Sequence, residues 1–278
     1  FTQLGINTKL IAPQFVKPFV KSNKTDKADA EAIAEAASRP TMRFVAVKTT
    51  GQQDLQSIHK LRERFISQRT ASCNELRGLL AEYGIVIPTG FSNLKKFFAG
   101  AFDECEELSE LIRDSLKEFY QEIVRLDEKA TQYSKLLLSI SQKHPVASRL
   151  RQIPGVGPIC ATAIIAATGS AADFKNGRSY ASWLGLVPKE HSSGGKQRLL
   201  GISKRGNSYL RKQLVHGARS VVYHAKGKND PLSCWINRLR ERKGTNKAVV
   251  AYANKNARII WSLMATDCDF QRKLASGQ

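Results

Sequence analysis

Nine apolar residues between Ile112 and Ile140 step by four and three in alternation: Ile112, Leu116, Phe119, Ile123, Leu126, Ala130, Tyr133, Leu137 and Ile140. An a/d seam over four heptads admits one local structure, a long helix whose apolar stripe must be covered by another helix. An earlier stretch supplies a second helix. Leu55, Ile58, Leu61, Phe65, Leu76 and Leu80 fall near helical spacing, and Gly84 closes it. Pro88-Thr89-Gly90 breaks the chain between them, ahead of a short apolar stretch with Phe97, Phe98 and Phe102. The seam is either covered inside the chain or used between chains. Its length and exposed acidic flank favour a helical hairpin that self-associates.

Different patterns flank this region, so three domains are expected, at 1–50, 51–145 and 146–278. Residues 1–50 read as the tail of an α/β unit. Phe1–Gly5 is a helix end, Thr8–Ala12 a short strand, Ser22-Asn23-Lys24-Thr25 a polar turn, and 26–38 a helix that Arg39-Pro40 stops. Residues 146–278 read as a compact, mainly helical domain. Gly169, Gly185 and Gly244 mark helix ends, Asp230-Pro231 marks a helix start, and 246–266 is an amphipathic helix.

Charge separates the same regions. Residues 1–142 carry 20 basic and 18 acidic side chains, whereas 143–278 carry 24 and 6, nearly all of the net +20. So one-sided a balance is self-repelling without a polyanion, and nucleic-acid contact through phosphates follows. No apolar run approaches the length of a membrane span. The five cysteines are scattered and never paired as C-x-x-C, which argues against a disulfide framework or zinc site and for a reducing compartment.

Three segments can carry chemistry. Ile153-Pro154-Gly155-Val156-Gly157 before an Ala/Ile-rich helix has the form of a helix-hairpin-helix turn, where Gly155 and Gly157 would let helix-start N–H groups meet a phosphate. A plain helix–helix turn is the alternative. Asp26 and Asp29 share one face of a helix start, as dipole-favoured acids or as half of a Mg²⁺ site. The basic loop 188–198, continuing to Gly206, sets Ser192 and Ser193 beside Gly194-Gly195 among Lys189, Lys196, Arg198, Lys204 and Arg205, either to bring a hydroxyl and backbone N–H groups against a phosphate or simply as a flexible basic loop. His191 is adjacent to the first serine, and an adjacent side chain on an extended segment points elsewhere.

Four segments in this order, NKTDKADA at 23–30, IPGVGPICA at 153–161, WLGLVPKEHSSGGK at 183–196 and ISKRGNSYLR at 202–211, resemble the DEDD-type insertion-sequence transposases. The similarity covers essentially the whole chain. It implies a mainly α fold with a truncated α/β part: the C-terminal piece of a RuvC-like (RNase H-like) domain, a helical coiled-coil region, and a basic serine transposase domain. Asp26 and Asp29 match the last two acids of an Asp-Glu-Asp-Asp set around Mg²⁺. The first two would lie before Phe1, so a segment ahead of it is expected. Ser192 matches the nucleophile, with Ser193 the competing assignment, and Arg211 joins the nucleic-acid-binding residues. The implied partners are target and donor DNA, a non-coding guide RNA, and further copies as dimers or tetramers. The implied setting is the nucleoid of a bacterial or archaeal cytoplasm. About 160 residues separate the acids from the serine, so carboxylates of one protomer are expected to serve the serine of another. The rival readings are a RuvC-type metal-dependent nuclease or resolvase, and a non-enzymatic nucleic-acid-binding protein.

Overall fold

The computed structural model describes residues 1, 4–21, 23, 25–266 and 268–270. The chain is mainly helical and divides into two compact units, Phe1–Gln53 and Asp54–Gln278.

In the first unit a minimal antiparallel ladder joins β1 (Leu10–Ile11) to β2 (Phe44–Val45), with Leu10 opposite Val45. Between them lie α1 (Pro13–Val16), a 3₁₀ turn at Lys17–Phe19, and α2 (Asp26–Ser38). Thr25 caps α2 by accepting from the Ala28 amide at 3.2 Å. Arg39 turns extended (ψ 129°) because the following proline disfavours helical geometry. Ala32 and Ala36 of α2 are this unit's buried residues among those described. Ser22 and Lys24 of the expected polar turn lie outside the described residues, as do Thr2 and Gln3 of the expected helix end; Gly5 has φ 73°.

The long helices are α3 (Thr50–Glu82) and α5 (Glu110–Lys143), with α4 (Phe91–Ala99) in their connection. Leu116 and Ile123 of the seam are buried in one cluster with Cys73, Leu76 and Leu80 of α3, Leu94 of α4, and Phe102. Phe98 stacks on Tyr120 with centroids 4.1 Å apart, and Phe65 on Tyr133 at 5.6 Å. Arg62 donates to the Ser134 hydroxyl at 2.8 Å, and Arg69 pairs with Asp127. Within the chain α3 and its neighbours thus bury Leu116, Ile123, Ala130 and Leu137 of the seam, while Ile112, Phe119, Leu126, Tyr133 and Ile140 between them are half-buried.

The remaining elements are α6 (Pro145–Leu150), α7 (Pro158–Ala167), α8 (Gly177–Trp183), β3 (Pro188–Glu190), β4 (Leu199–Ile202), α9 (Ser208–His224), α10 (Pro231–Lys243) and α11 (Thr245–Thr266). Their core gathers Ile164, Tyr180, Leu210, Leu214, Ile236, Tyr252 and Ile260. Asp230 caps α10 through the Ser233 amide at 3.2 Å, and Gly244 (φ 83°) ends it. The five cysteines are free thiols.

His59 of α3 is buried where the helical pair meets this core. Its Nδ1 lies 3.0 Å from the Tyr209 hydroxyl and its Nε2 3.1 Å from Thr162 Oγ1. Thr162 gives its proton to the Pro158 carbonyl at 2.8 Å. The ring therefore donates from Nε2 and accepts at Nδ1, a neutral imidazole. Burial, with Arg62 nearby, pushes its pKa down to about 4. Between that value and the unfolded value of about 6.5, the unfolded chain binds more protons, so stability rises with pH. The contribution is complete above about pH 6.5 and lost as pH falls through about 4, on the order of 3 kcal/mol. Urea unfolding at pH 7 and near pH 4.5 should show wild type losing about 2 kcal/mol more than His59→Leu. Equal losses in the two proteins would remove His59 as the cause.

Candidate functional site

The segment 188–202, read above as a loop, is a β-hairpin. β3 pairs antiparallel with β4, Pro188 opposite Ile202 and Glu190 opposite Leu199, with an irregular register between. The tip is Ser193-Gly194-Gly195-Lys196, closed by the Lys196 amide on the Ser193 carbonyl at 3.1 Å. Both central glycines have positive φ, 56° and 73°, as a type I′ turn requires. The paired glycines that suggested a flexible loop are what permit this turn.

Residues two apart on an extended strand share a face, which brings Glu190 and Ser192 together. Ser192 Oγ donates to Glu190 Oε1 at 2.6 Å, and Gln197 Nε2 donates to the same oxygen at 3.2 Å. These bonds, from Ser192 first, hold the Glu190 carboxyl below the usual carboxylate range. Ser193 has no described side-chain partner, and its place is set by its backbone at the tip. His191 engages Arg198 through its amide at 3.0 Å. Lys189, Lys196, Arg198, Lys204 and Arg205 are exposed and ion-paired with no described residue. Glu190 escaped the sequence reading because a lone acid among so many cations reads as a salt-bridge partner. Its spacing of two from Ser192 was the available signal.

The hairpin stands on a rigid base where two turns meet backbone to backbone. Ser203 and Lys204 donate their amides to the Val187 and Gly185 carbonyls at 2.8 and 3.1 Å. A Cβ on Gly185 would lie 2.1 Å from the Arg205 carbonyl oxygen, and one on Gly206 1.8 Å from that of Trp183. Lys204 takes φ 55°, a conformation costing a non-glycine residue roughly 1–2 kcal/mol. Arg211 Nη1 spans the junction, donating to Leu184 and Arg205 carbonyls at 3.1 and 3.0 Å. Its guanidinium thus fastens the base of the hairpin.

The 153–157 turn packs inward. Gly155 (φ 84°) meets Gly217 of α9 so closely that a Cβ on Gly217 would lie 1.8 Å from the Gly155 oxygen. Tyr252 and Asn256 donate to the Pro154 carbonyl at 2.9 and 3.0 Å. Gly155 thus has a packing reason to be glycine. Gly157 is exposed at the start of α7 with open space about it.

Asp26 and Asp29 lie in the first unit, on the first turn of α2. Asp26 is exposed, Asp29 is half-buried, and neither is paired with a described residue. Two hard carboxylates fit Mg²⁺ in kind, since that ion is commonly held by one or two carboxylates plus substrate phosphates and water. Among the described residues no three His, Cys, Asp or Glu side chains gather around a common point. No helix among the described residues is long and apolar enough to cross a membrane.

Comparison with known proteins matches two separate stretches of the chain. Residues 2–85 match a DEDD-type IS110 transposase domain, and residues 147–231 match the domain described as Transposase IS116/IS110/IS902 family. The transposase for insertion sequence element IS1111A of Coxiella burnetii is 46% identical over 268 residues, covering 95% of this chain and 73% of that protein. A probable family 20 transposase of Pseudomonas aeruginosa is 44% identical, covering 95% of this chain and 79% of its own length. A pilin gene-inverting protein of Moraxella bovis is 25% identical over 165 residues, 58% of this chain and 49% of that protein.

Proposed function

Because the chain belongs to the IS110/IS116/IS902 family of insertion-sequence transposases, we propose that it cuts and rejoins DNA through a covalent phosphoserine formed at Ser192. The observation that carries this reading is the Ser192–Glu190 hydrogen bond of 2.6 Å on an exposed hairpin. A serine hydroxyl attacks a phosphodiester poorly unless an acceptor orients it and the developing charge is neutralised. Glu190 supplies the acceptor. Lys189, Lys196 and Arg198, with Lys204 and Arg205 at the base, supply positive charge.

In the step itself a bond forms between Ser192 Oγ and phosphorus, and the bond from phosphorus to one DNA oxygen breaks. The Ser192 proton passes toward Glu190, and the departing DNA oxygen takes up a proton to become a hydroxyl. The phosphodiester is kept in the adduct, so the reverse step on a second hydroxyl rejoins strands without an outside energy source.

Asp26 and Asp29 would hold a divalent cation, Mg²⁺ in this reading, which supplies charge neutralisation at phosphate oxygens. The domains expected at 1–50, 51–145 and 146–278 would then be a RuvC-like remnant, a helical spacer and the serine domain, with Gly157 offering helix-start amides to a backbone phosphate. A guide RNA pairing with target and donor DNA, and an assembly in which one protomer's carboxylates serve another's serine, complete the proposal. The setting would be the nucleoid of the bacterial or archaeal cytoplasm. The Moraxella relative's name, a gene-inverting protein, supports rearrangement of DNA over mere binding.

Trapping separates the readings. Full-length protein with guide RNA, Mg²⁺ and DNA carrying the insertion-sequence junction, quenched in denaturant, should leave a DNA adduct on the peptide containing Ser192. Cleavage without an adduct would mean attack by water and a metal nuclease. Intact DNA in a complex shown to be fully assembled would mean a binding protein.

A further inference from the structure

A groove of about 1360 Å³ runs between β4, α10 and α11. That exceeds the roughly 300–1,000 Å³ of small-molecule sites and suits a segment of polymer. Its lining carries Arg238 from α10 and Lys247, Lys255 and Arg258 from α11, without a single carboxylate. The three α11 cations fall at spacings of eight and three, on one helix face. They stand about 12 and 5 Å apart along the axis. α11 has no Asp or Glu anywhere in its 22 residues. None of the four cations is ion-paired with a described residue; Lys255 instead lies over the Trp235 ring, 4.9 Å from its centroid.

We propose that this groove holds a single strand of DNA, its phosphates on Arg238, Lys247, Lys255 and Arg258 and its bases against Trp235 and the apolar side chains of β4. Charge alone selects a polyanion. The apolar lining selects an unpaired strand, because a duplex hides its base faces, whereas an open strand lays them on aromatic and aliphatic surfaces. Leu199 and Leu200, 56% and 42% exposed, lie in that lining. Burying them against bases would remove apolar surface that otherwise faces water. The choice of DNA rests on the function proposed above, since β4 is one wall of the groove and also an arm of the hairpin that carries Ser192.

The test is anisotropy of labelled DNA with full-length protein across about 50 to 200 mM salt, comparing wild type with Arg238→Gln/Lys247→Gln/Arg258→Gln. All three side chains are exposed, so the fold should survive, which circular dichroism checks. Each lost contact should flatten the log–log salt slope for a single strand by about 0.7, giving about 2 for the triple variant. Affinity for the single strand should fall at least tenfold, and affinity for a duplex of the same sequence by less than threefold. Arg238→Lys/Arg258→Lys should recover most of the loss. Equal losses for strand and duplex, an unchanged slope, or a loss confined to RNA of the same sequence would each overturn the assignment. Ser192→Ala should bind the strand as wild type does. If adducts never form but the slope still changes, the groove stands and the serine reading falls.

Discussion

Ser192→Ala protein should form no covalent DNA adduct and should lose roughly 10⁴-fold or more in recombination rate, the scale expected when a covalent nucleophile is removed. Its affinity for DNA should be unchanged, because the hydroxyl holds Glu190 and not the substrate in the resting protein. Glu190→Gln keeps an oxygen in reach of Ser192 but removes the charge that accepts its proton. It should cost about 10²-fold, within the usual range for a positioned acid–base group. The wild-type rate should also fall at acidic pH as the carboxylate protonates, and that limb should vanish in Glu190→Gln. Because hydrogen bonds hold the Glu190 carboxyl below its ordinary range, the limb lies at or below the pH where a free glutamate titrates. Ser193→Ala, at the turn with no described side-chain partner, should stay close to wild type. The opposite outcome, activity lost with Ser193 and kept without Ser192, would transfer the nucleophile by one residue.

Gly206→Val and Gly217→Val should each destabilise the fold by about 4 kcal/mol or more, in the exceptional range for a point change. Each added Cβ would meet a backbone carbonyl oxygen at 1.8 Å, Trp183 for the first and Gly155 for the second. Backbone cannot step aside as the end of a side chain can. Gly206 also has φ 80°, so its variant adds strain to collision. Gly78, exposed within α3 with nothing within 4 Å of where a Cβ would stand, is the control. Gly78→Ala should stabilise by about 0.5–1 kcal/mol through the entropy of the unfolded chain. Urea unfolding measures all three, and a Gly217→Val protein as stable as wild type would mean that the turn and α9 do not touch.

Much of the local structure was legible because its causes are local. Thr25 before an Ala-rich run, Arg39-Pro40 after it, Asp230-Pro231, Gly84 and Gly244 are punctuation that acts within one turn of helix. The a/d seam announced a long helix for the same reason. The Gly-Gly pair of the hairpin tip was just as local, and reading it as flexibility overlooked that two positive φ angles in succession specify a two-residue turn. For the site, Ser192, Ser193 and the surrounding cations were visible, whereas Glu190 gained its role only from a strand face and from Gln197 across the hairpin.

What the sequence by itself determined is therefore the helices α2, α3, α5, α7, α10 and α11 with several of their ends, though not α9, and the concentration of positive charge after residue 142. What only the tertiary structure decided is which surfaces meet: α5 closing on α3 of its own chain, Gly155 on Gly217, His59 between Thr162 and Tyr209, and a groove bringing Arg238 of α10 beside Lys255 of α11. Caps and periods act between neighbours in the chain. An apolar stripe states only that it must be covered, and the partner is chosen by shape and volume across separations of up to 150 residues, as between His59 and Tyr209.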